Sequence, residues 1–488
     1  MQKLLLKEKL SNLRKANESF VFFIAFLYSI STSNQNATEM MKTAENSGYG
    51  RYSSIFKDVS HLGIGWGYGL SKSCDIIAAR IPSKDHTFRN LLVKLSQVIK
   101  LGGQLREFLK DELDYVLHNY IITYERSLDS QRLFLEMYYT IMSTVSMMIA
   151  ANSMLTMLTG AEDTEMTLKI SITAVMVCMA TFVFVLHMLF PRDDLMVPNK
   201  DTTKKFRLSL YLALPMSLMI GATLFVSHVL PPTLIIPIAS VPLLVPSFFA
   251  LKLESTIKKL DGWYPQFIMQ FGQLYSTTGS LGNTLDSILR TDFNVLGKHI
   301  ISFSNRIKNK VDREKAFDLF SKDTGSFLIS AGNRIVAKSI SNGSELGEVG
   351  NKVANVASRV NEMRAKRRQI SKTFEMVIII LHVMTLAVFA LINKIADIFH
   401  NLLSDPAHTV GFIKLTPVNP EFLYVMLPAI VLVMSIINAF AIKIAQGGIY
   451  KTVILYIVIL NIVGGLTTYG VGEVLGKFLG NSILDVDL

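Results

Sequence analysis

The chain has 488 residues, half of them hydrophobic, and a mean hydropathy of +0.37, which excludes an ordinary soluble globular protein. Its formal net charge is +11, so that charge must lie outside the apolar segments. Two cysteines, Cys74 in a polar stretch and Cys178 in an apolar one, exclude a secreted disulfide scaffold and a zinc module, and neither metal nor cofactor is expected.

Residues 1–132 form a basic, polar, helix-patterned stretch. It opens with Lys3, Lys7, Lys9, Arg14 and Lys15 ahead of an apolar run from Phe20 to Ile30, which mimics a signal peptide. The run is only about half a membrane span. Ser31-Thr32-Ser33 is also a poor cleavage site, so a buried helix is expected. After a Gly102-Gly103 break, Leu105, Phe108, Leu109 and Val116 recur at three- and four-residue spacing, on one helix face. Residues 133–252 hold four candidate spans, at 133–159, 168–190, 207–229 and 232–251. Each is close to the ~20 apolar residues a helix needs to cross ~30 Å of hydrocarbon. Pro231 and Pro232 suit a tight reversal between the last two.

A second polar stretch, 253–374, repeats the plan. Leu346, Val349, Val353, Val356 and Val360 follow Asn342-Gly343 at helical spacing, and Asn342 with Glu345 resembles a capping box. Residues 375–488 hold three further spans, at 375–397, 421–442 and 452–472, and a tail. Neither polar stretch alternates like a strand. The expected fold class is an all-α polytopic membrane protein, with two helical-bundle lobes alternating with clusters of transmembrane helices, about seven spans in all.

Lys and Arg set the orientation. Direct counting gives about 18 in 1–132 and about 19 in 253–374, whereas 398–420 has only Lys414 and the chain ends Asp485-Val486-Asp487-Leu488. Four spans between the basic stretches return the chain to the same side. Both lobes are therefore expected in the cytoplasm and the C-terminus outside.

Catalytic motifs are wanting. A phosphate-binding loop needs G-x-x-x-x-G-K-[ST] after a strand, but Phe478 follows Gly476-Lys477, and Gly447-Gly448-Ile449-Tyr450-Lys451-Thr452 lacks the glycine before lysine. Asp193-Asp194 lacks the flanking glycines of a membrane aspartyl peptidase and reads as a connector pair. His187, His228 and His382 are too scattered for a metal site and suit hydrogen bonds between helices. No enzyme is expected. A secondary transporter would carry its repeat inside the membrane, with polar groups at mid-depth; here the repeat lies in the polar lobes. Gly472, Gly476 and Gly480 share a helix face, the spacing that lets helices approach closely in lipid, or else mark a flexible exit from the last span.

The paired lobes carry a resemblance. It rests on residues 55–131, from Ile55-Phe56-Lys57 to Asp129-Ser130-Gln131, and on YPQFIMQFGQLYSTTGSLGNTLDSIL at 264–289 with SISNGSELGEVGNKVANVASRVNEMRAKRRQ at 339–369. These stretches resemble the type II secretion/type IV pilus inner-membrane platform family, whose lobes are type II secretion F domains, in its archaellum-assembly branch. The motifs are loose; lobe order and span grouping carry more of the likeness.

The resemblance implies a platform in the cell membrane beneath a filament of pilin-like subunits, working as a dimer or trimer, with no nucleic-acid partner. A cytoplasmic hexameric secretion or motor ATPase would dock on the lobes. The platform of a non-rotating adhesive or inducible pilus is the alternative. Candidate docking residues are Arg106 and Lys110 in the first lobe, and Lys308, Lys310, Arg313 and Lys315 with Arg364, Lys366, Arg367 and Arg368 in the second. Membrane lipids compete for 364–368, since juxtamembrane basic runs also bind anionic headgroups, and a plain solvated face competes for 308–315.

Overall fold

The computed structural model describes residues 17–33, 35–82, 85–159, 164–191, 193–197, 203–227, 229–403 and 420–484. Helices dominate these residues, with no strand among them beyond an isolated antiparallel bridge between Met196 and Ser326. In chain order they are α1 (Glu18–Ser31), α2 (Ala37–Glu45), α3 (Arg51–Ser60), α4 (Leu70–Arg80), α5 (His86–Leu101), α6 (Leu105–Thr159), α7 (Thr164–Leu189), α8 (Lys204–Ser227) and α9 (Pro232–Ser240). They continue with α10 (Leu244–Thr278), α11 (Leu281–Ile288), α12 (Gly297–Lys308), α13 (Arg313–Thr324), α14 (Phe327–Ser341), α15 (Leu346–Leu403), α16 (Pro420–Gln446) and α17 (Val453–Leu484).

The chain divides into two compact units. Unit 1 gathers Met1–Ser127, the connector Pro191–Asn199 and Ser255–Lys366; unit 2 gathers Leu128–Phe190, Lys200–Glu254 and Arg367–Leu488. The two polar stretches, which read as separate lobes in the sequence, thus fold together, and the connector between the second and third expected spans joins them.

In unit 1, α1 is apolar on every side, and a helix of that kind has to be buried. Every residue from Phe20 to Ile30 is indeed buried. Phe20, Phe23, Tyr52, Phe56 and Phe88 form its aromatic surround, with Phe23 stacked on Tyr52 at 5.2 Å. The second stretch builds its own aromatic core from Phe267, Phe271, Phe303, Phe317 and Phe320. There α10 and α15 cross backbone to backbone: a Cβ on Gly272 would lie 2.5 Å from the Leu346 carbonyl oxygen. The Gly102 break is as expected, a left-handed residue (φ +66°) closing α5. The capping box is not. Asn342 closes α14, and the Glu345 backbone N–H bonds to Thr32 Oγ1, so the start of α15 is held from α1 instead.

Unit 2 contains most of the long apolar segments. Among the described residues, six helices are long and apolar enough to cross a membrane: Lys169–Leu189, Lys204–Ser227, Pro232–Thr278, Leu346–Ile398, Met426–Gln446 and Tyr450–Lys477. The expected span at 133–159 lies on α6 and is not among them; its side chains at 145, 149 and beyond 151 lie outside the described residues.

Candidate functional site

The centre of unit 1 is a buried ionic cluster on Arg364, which is only 4% exposed. Its Nη2 donates to both carboxylate oxygens of Glu18, at 2.8 and 3.0 Å, and to the Asp194 carbonyl at 3.0 Å; Nη1 donates to Asp261 Oδ2 at 3.1 Å. Ser326, the N-cap of α14, donates its hydroxyl to Asp261, and Tyr124 donates to Asp193 at 2.9 Å. The connector is also tied by backbone bonds, Val197 N–H to the Gly325 carbonyl at 3.0 Å and Phe327 N–H to the Leu195 carbonyl at 3.2 Å. One guanidinium therefore clamps the first turn of α1, the connector, α10 and α15. Its single charge serves several carboxylates, so burial outweighs it at Glu18, whose carboxyl is pushed up to about 7. Asp193-Asp194 is a connector pair in this literal sense.

Further bonds join the two polar stretches. Arg106 pairs with Glu345 at 2.8 Å and with Glu348, which also accepts from Tyr28. Lys352 pairs with Asp114 at 2.8 Å and Lys366 with Glu125 at 2.6 Å.

The ten basic residues singled out by sequence separate into three groups. Lys308, Lys310, Arg313, Lys315 and Arg368 are exposed, Lys308 in an ion pair with Asp286 at 2.7 Å. Arg106, Lys110 and Lys366 are half-buried. Arg364 and Arg367 are buried and, apart from the unpaired Nε of Arg364, turn their donors to partners inside the chain, so neither offers its charge to a partner on the surface. Within unit 2, Arg367 donates to the Ala445 and Ile444 carbonyls at 3.0 and 2.8 Å, with Gln131 and Ser371 on the same Ala445 oxygen at 2.7 Å. These are last-turn acceptors of α16, and a cation there both satisfies them and opposes the helix dipole.

The sequence carried a signal for both burials. The buried stripe of α15 at Val349, Val353, Val356 and Val360 continues at three- and four-residue spacing through Arg364, Arg367, Ser371, Phe374 and Ile378. Counted by charge alone the basic run is one patch, although two of its four charges lie on that stripe.

Unit 2 holds the other residues that sequence singled out. His382 is buried and bonds between helices, with Leu460 O at 3.2 Å from Nε2 and Asn438 Nδ2 at 3.1 Å from Nδ1; Tyr138 donates to Asn438 Oδ1 at 2.7 Å. His187 lies near Tyr450, 3.4 Å from its hydroxyl, and His228 lies outside the described residues. Among the described residues, no atom outside its own helix turn comes within 4 Å of a Cβ placed on Gly472, and on Gly476 it would meet Lys394, at 3.5 Å; the surroundings of Gly480 lie outside the described residues. Within the chain, close approach falls earlier on α17. A Cβ at Gly465 would sit 2.0 Å from Pro237 Cγ, and at Gly464 2.6 Å from Leu386 Cδ1.

Comparison with known proteins agrees with the sequence reading. The family described as type II secretion system, protein F, matches residues 23–151. The flagella accessory protein J of Methanocaldococcus jannaschii is 24% identical over 97% of this chain and 87% of its own length. The protein of that name from Methanococcus voltae is 23% identical over 91% of this chain and 83% of its own. No solved structure matches. The expected resemblance is thereby borne out: this is a multi-pass membrane protein whose residues 23–151 match the type II secretion system protein F family and which resembles, over nearly its whole length, the flagella accessory protein J of two methanogens.

Proposed function

We propose that the chain is the membrane platform of an archaellum motor. A cytoplasmic secretion ATPase docks on unit 1, and its motion passes to unit 2 and to pilin-like subunits entering the filament. The chain hydrolyses nothing itself and works as a homo-oligomer. The observation that carries this reading is the joining of both polar stretches and the connector 191–199 in one unit. Such a unit lies on one side of the membrane only if the chain crosses an even number of times between 127 and 191, and again between 199 and 255. That supports counting 133–159 as a span, giving four crossings before the second polar stretch and three after it. The Lys and Arg excess favours the cytoplasmic side for unit 1, and the C-terminus then lies outside.

Docking falls to the exposed cations of the second stretch, Lys308, Lys310, Arg313 and Lys315, around the turn from α12 to α13. Such a patch steers an acidic partner and speeds encounter. Reversing these four charges in the full chain is expected to abolish salt-sensitive co-purification of the ATPase from membranes while insertion is retained. Undiminished co-purification would refute docking at this patch.

A further inference from the structure

Unit 1 exposes an aromatic knob whose contacts within the chain leave it largely in solvent: the Trp66 ring lies 6.3 Å from that of His61, and the Tyr68 ring 5.6 Å from Lys72 Nζ. Between α3 and α4 the backbone makes a π-helical turn, His61–Gly65, and then a loop carrying Trp66, 65% exposed, and Tyr68, 47% exposed. The loop is built to hold them out. Trp66 N–H bonds to the His61 carbonyl at 3.1 Å, Tyr68 N–H to Leu62 at 3.3 Å and Gly69 N–H to Gly63 at 3.2 Å. Gly67 and Gly69, at φ +75° and +79°, supply the left-handed conformations that let it do so. Ile64 and Leu101 are exposed at the same end of the unit, where α4 and α5 are joined by Ser71 Oγ and Ser96 Oγ at 3.0 Å.

This end is far from where the chain leaves unit 1. α5 turns into α6 at Leu105, and 22 residues separate Leu105 from Ser127, the last unit 1 residue of that helix. At 1.5 Å per residue α6 carries its Leu105 end roughly 30 Å from that exit, more than a headgroup contact spans. Cations line the knob, although exposed Asp58 and Asp75 lie on the same helices as Lys57 and Lys72. Lys72 Nζ lies 5.6 Å from the Tyr68 ring centre, and a groove of about 370 Å³ beside Ile64 is lined by Lys42, Lys57 and His61 against one acid, Glu45.

We propose that Trp66 and Tyr68 anchor unit 1 to an acidic, soluble protein surface, the aromatics entering an apolar pocket and the lysines meeting carboxylates on its rim. Pre-organised Trp and Tyr, held by rigid backbone and ringed by charge, are what dominates the energy of such contacts. Resting on the platform reading, the occupant is the docked ATPase, with this knob its anchor and the 308–315 patch its steering surface.

The test uses the full chain in nanodiscs and the purified ATPase as probe. W66A/Y68A, whose side chains are exposed, is expected to melt with the wild type and to bind the ATPase about 30-fold more weakly, the effect of losing a hot spot. Equal binding by variant and wild type would overturn the anchor and leave the platform reading standing. No binding by either would remove the platform reading and the anchor together. Loss of binding to vesicles of anionic lipid, or of dimers by mass photometry, with ATPase affinity unchanged, would assign the knob to a membrane or to a second copy and overturn the proposal.

Discussion

Replacing Arg364 by methionine keeps most of the volume and the apolar stem but removes the cation from the cluster. Glu18 and Asp261, both at least nine-tenths buried, then lose their guanidinium. Breaking a buried pair from one side costs about 3–5 kcal/mol, and in a unit of this size that lowers Tm by roughly 10 °C. The chain's two tryptophans, Trp66 and Trp263, both lie in unit 1, so tryptophan fluorescence in the solubilised full chain reports on this unit. Glu18→Gln should behave differently, because it keeps an acceptor for Arg364. The Glu18 carboxyl titrates at about 7 in the fold against 4.5 unfolded, so its contribution is fully present below 4.5 and is lost as pH rises through 7. A difference of that size corresponds to about 3 kcal/mol. Between pH 5 and 8 the wild type should therefore lose several degrees that Glu18→Gln retains. Lys366→Met, on the solvated side of the same run, should melt as the wild type does. If Arg364→Met melts with the wild type at every pH, the cluster does not hold unit 1 together, and Arg364 returns to the candidates for surface docking.

Two further outcomes follow from packing and exposure. Gly465→Val should be destabilising by about 1–3 kcal/mol, since its side chain would enter Pro237 and the Thr233 carbonyl, while Gly472→Val should be neutral; thermal aggregation in detergent separates them. Arg106→Ala, with its guanidinium 41% exposed, should cost at most ~1 kcal/mol and shift Tm by no more than ~3 °C despite its two carboxylate partners.

The helical class, the apolar spans and the buried α1 were legible because each is a local property. Eleven consecutive residues from Phe20 to Ile30 that are too short to span a membrane must find a protein interior, and they do. The joining of the two polar stretches was not legible. It rests on pairs such as Tyr28 with Glu348 and Arg364 with Glu18, more than 300 residues apart in the chain, and no periodicity reports separations of that kind. The Trp66 knob was missed for the opposite reason. IGWGYG is apolar and glycine-rich, and nothing in the string says whether its aromatics point inward or out.

The run 364–368 shows how a charge count and a periodicity can be combined. Counted alone, Arg364, Lys366, Arg367 and Arg368 are one basic patch before a span. Projected onto the stripe that buries Val353, Val356 and Val360, they separate: Arg364 and Arg367 continue the stripe and are buried, while Arg368 is exposed. A cation on an apolar stripe is too costly to bury alone, so its position announces partners before any are found. Arg364 meets carboxylates brought from α1 and α10, and Arg367 meets the open carbonyls at the end of α16. The same reasoning moves docking to charges off any stripe. Lys310, in the turn from α12 to α13, and Lys315 lie off the buried faces of those helices, while Lys308, four residues after Ser304, and Arg313, three before Ala316, reach solvent because each sits at a helix end.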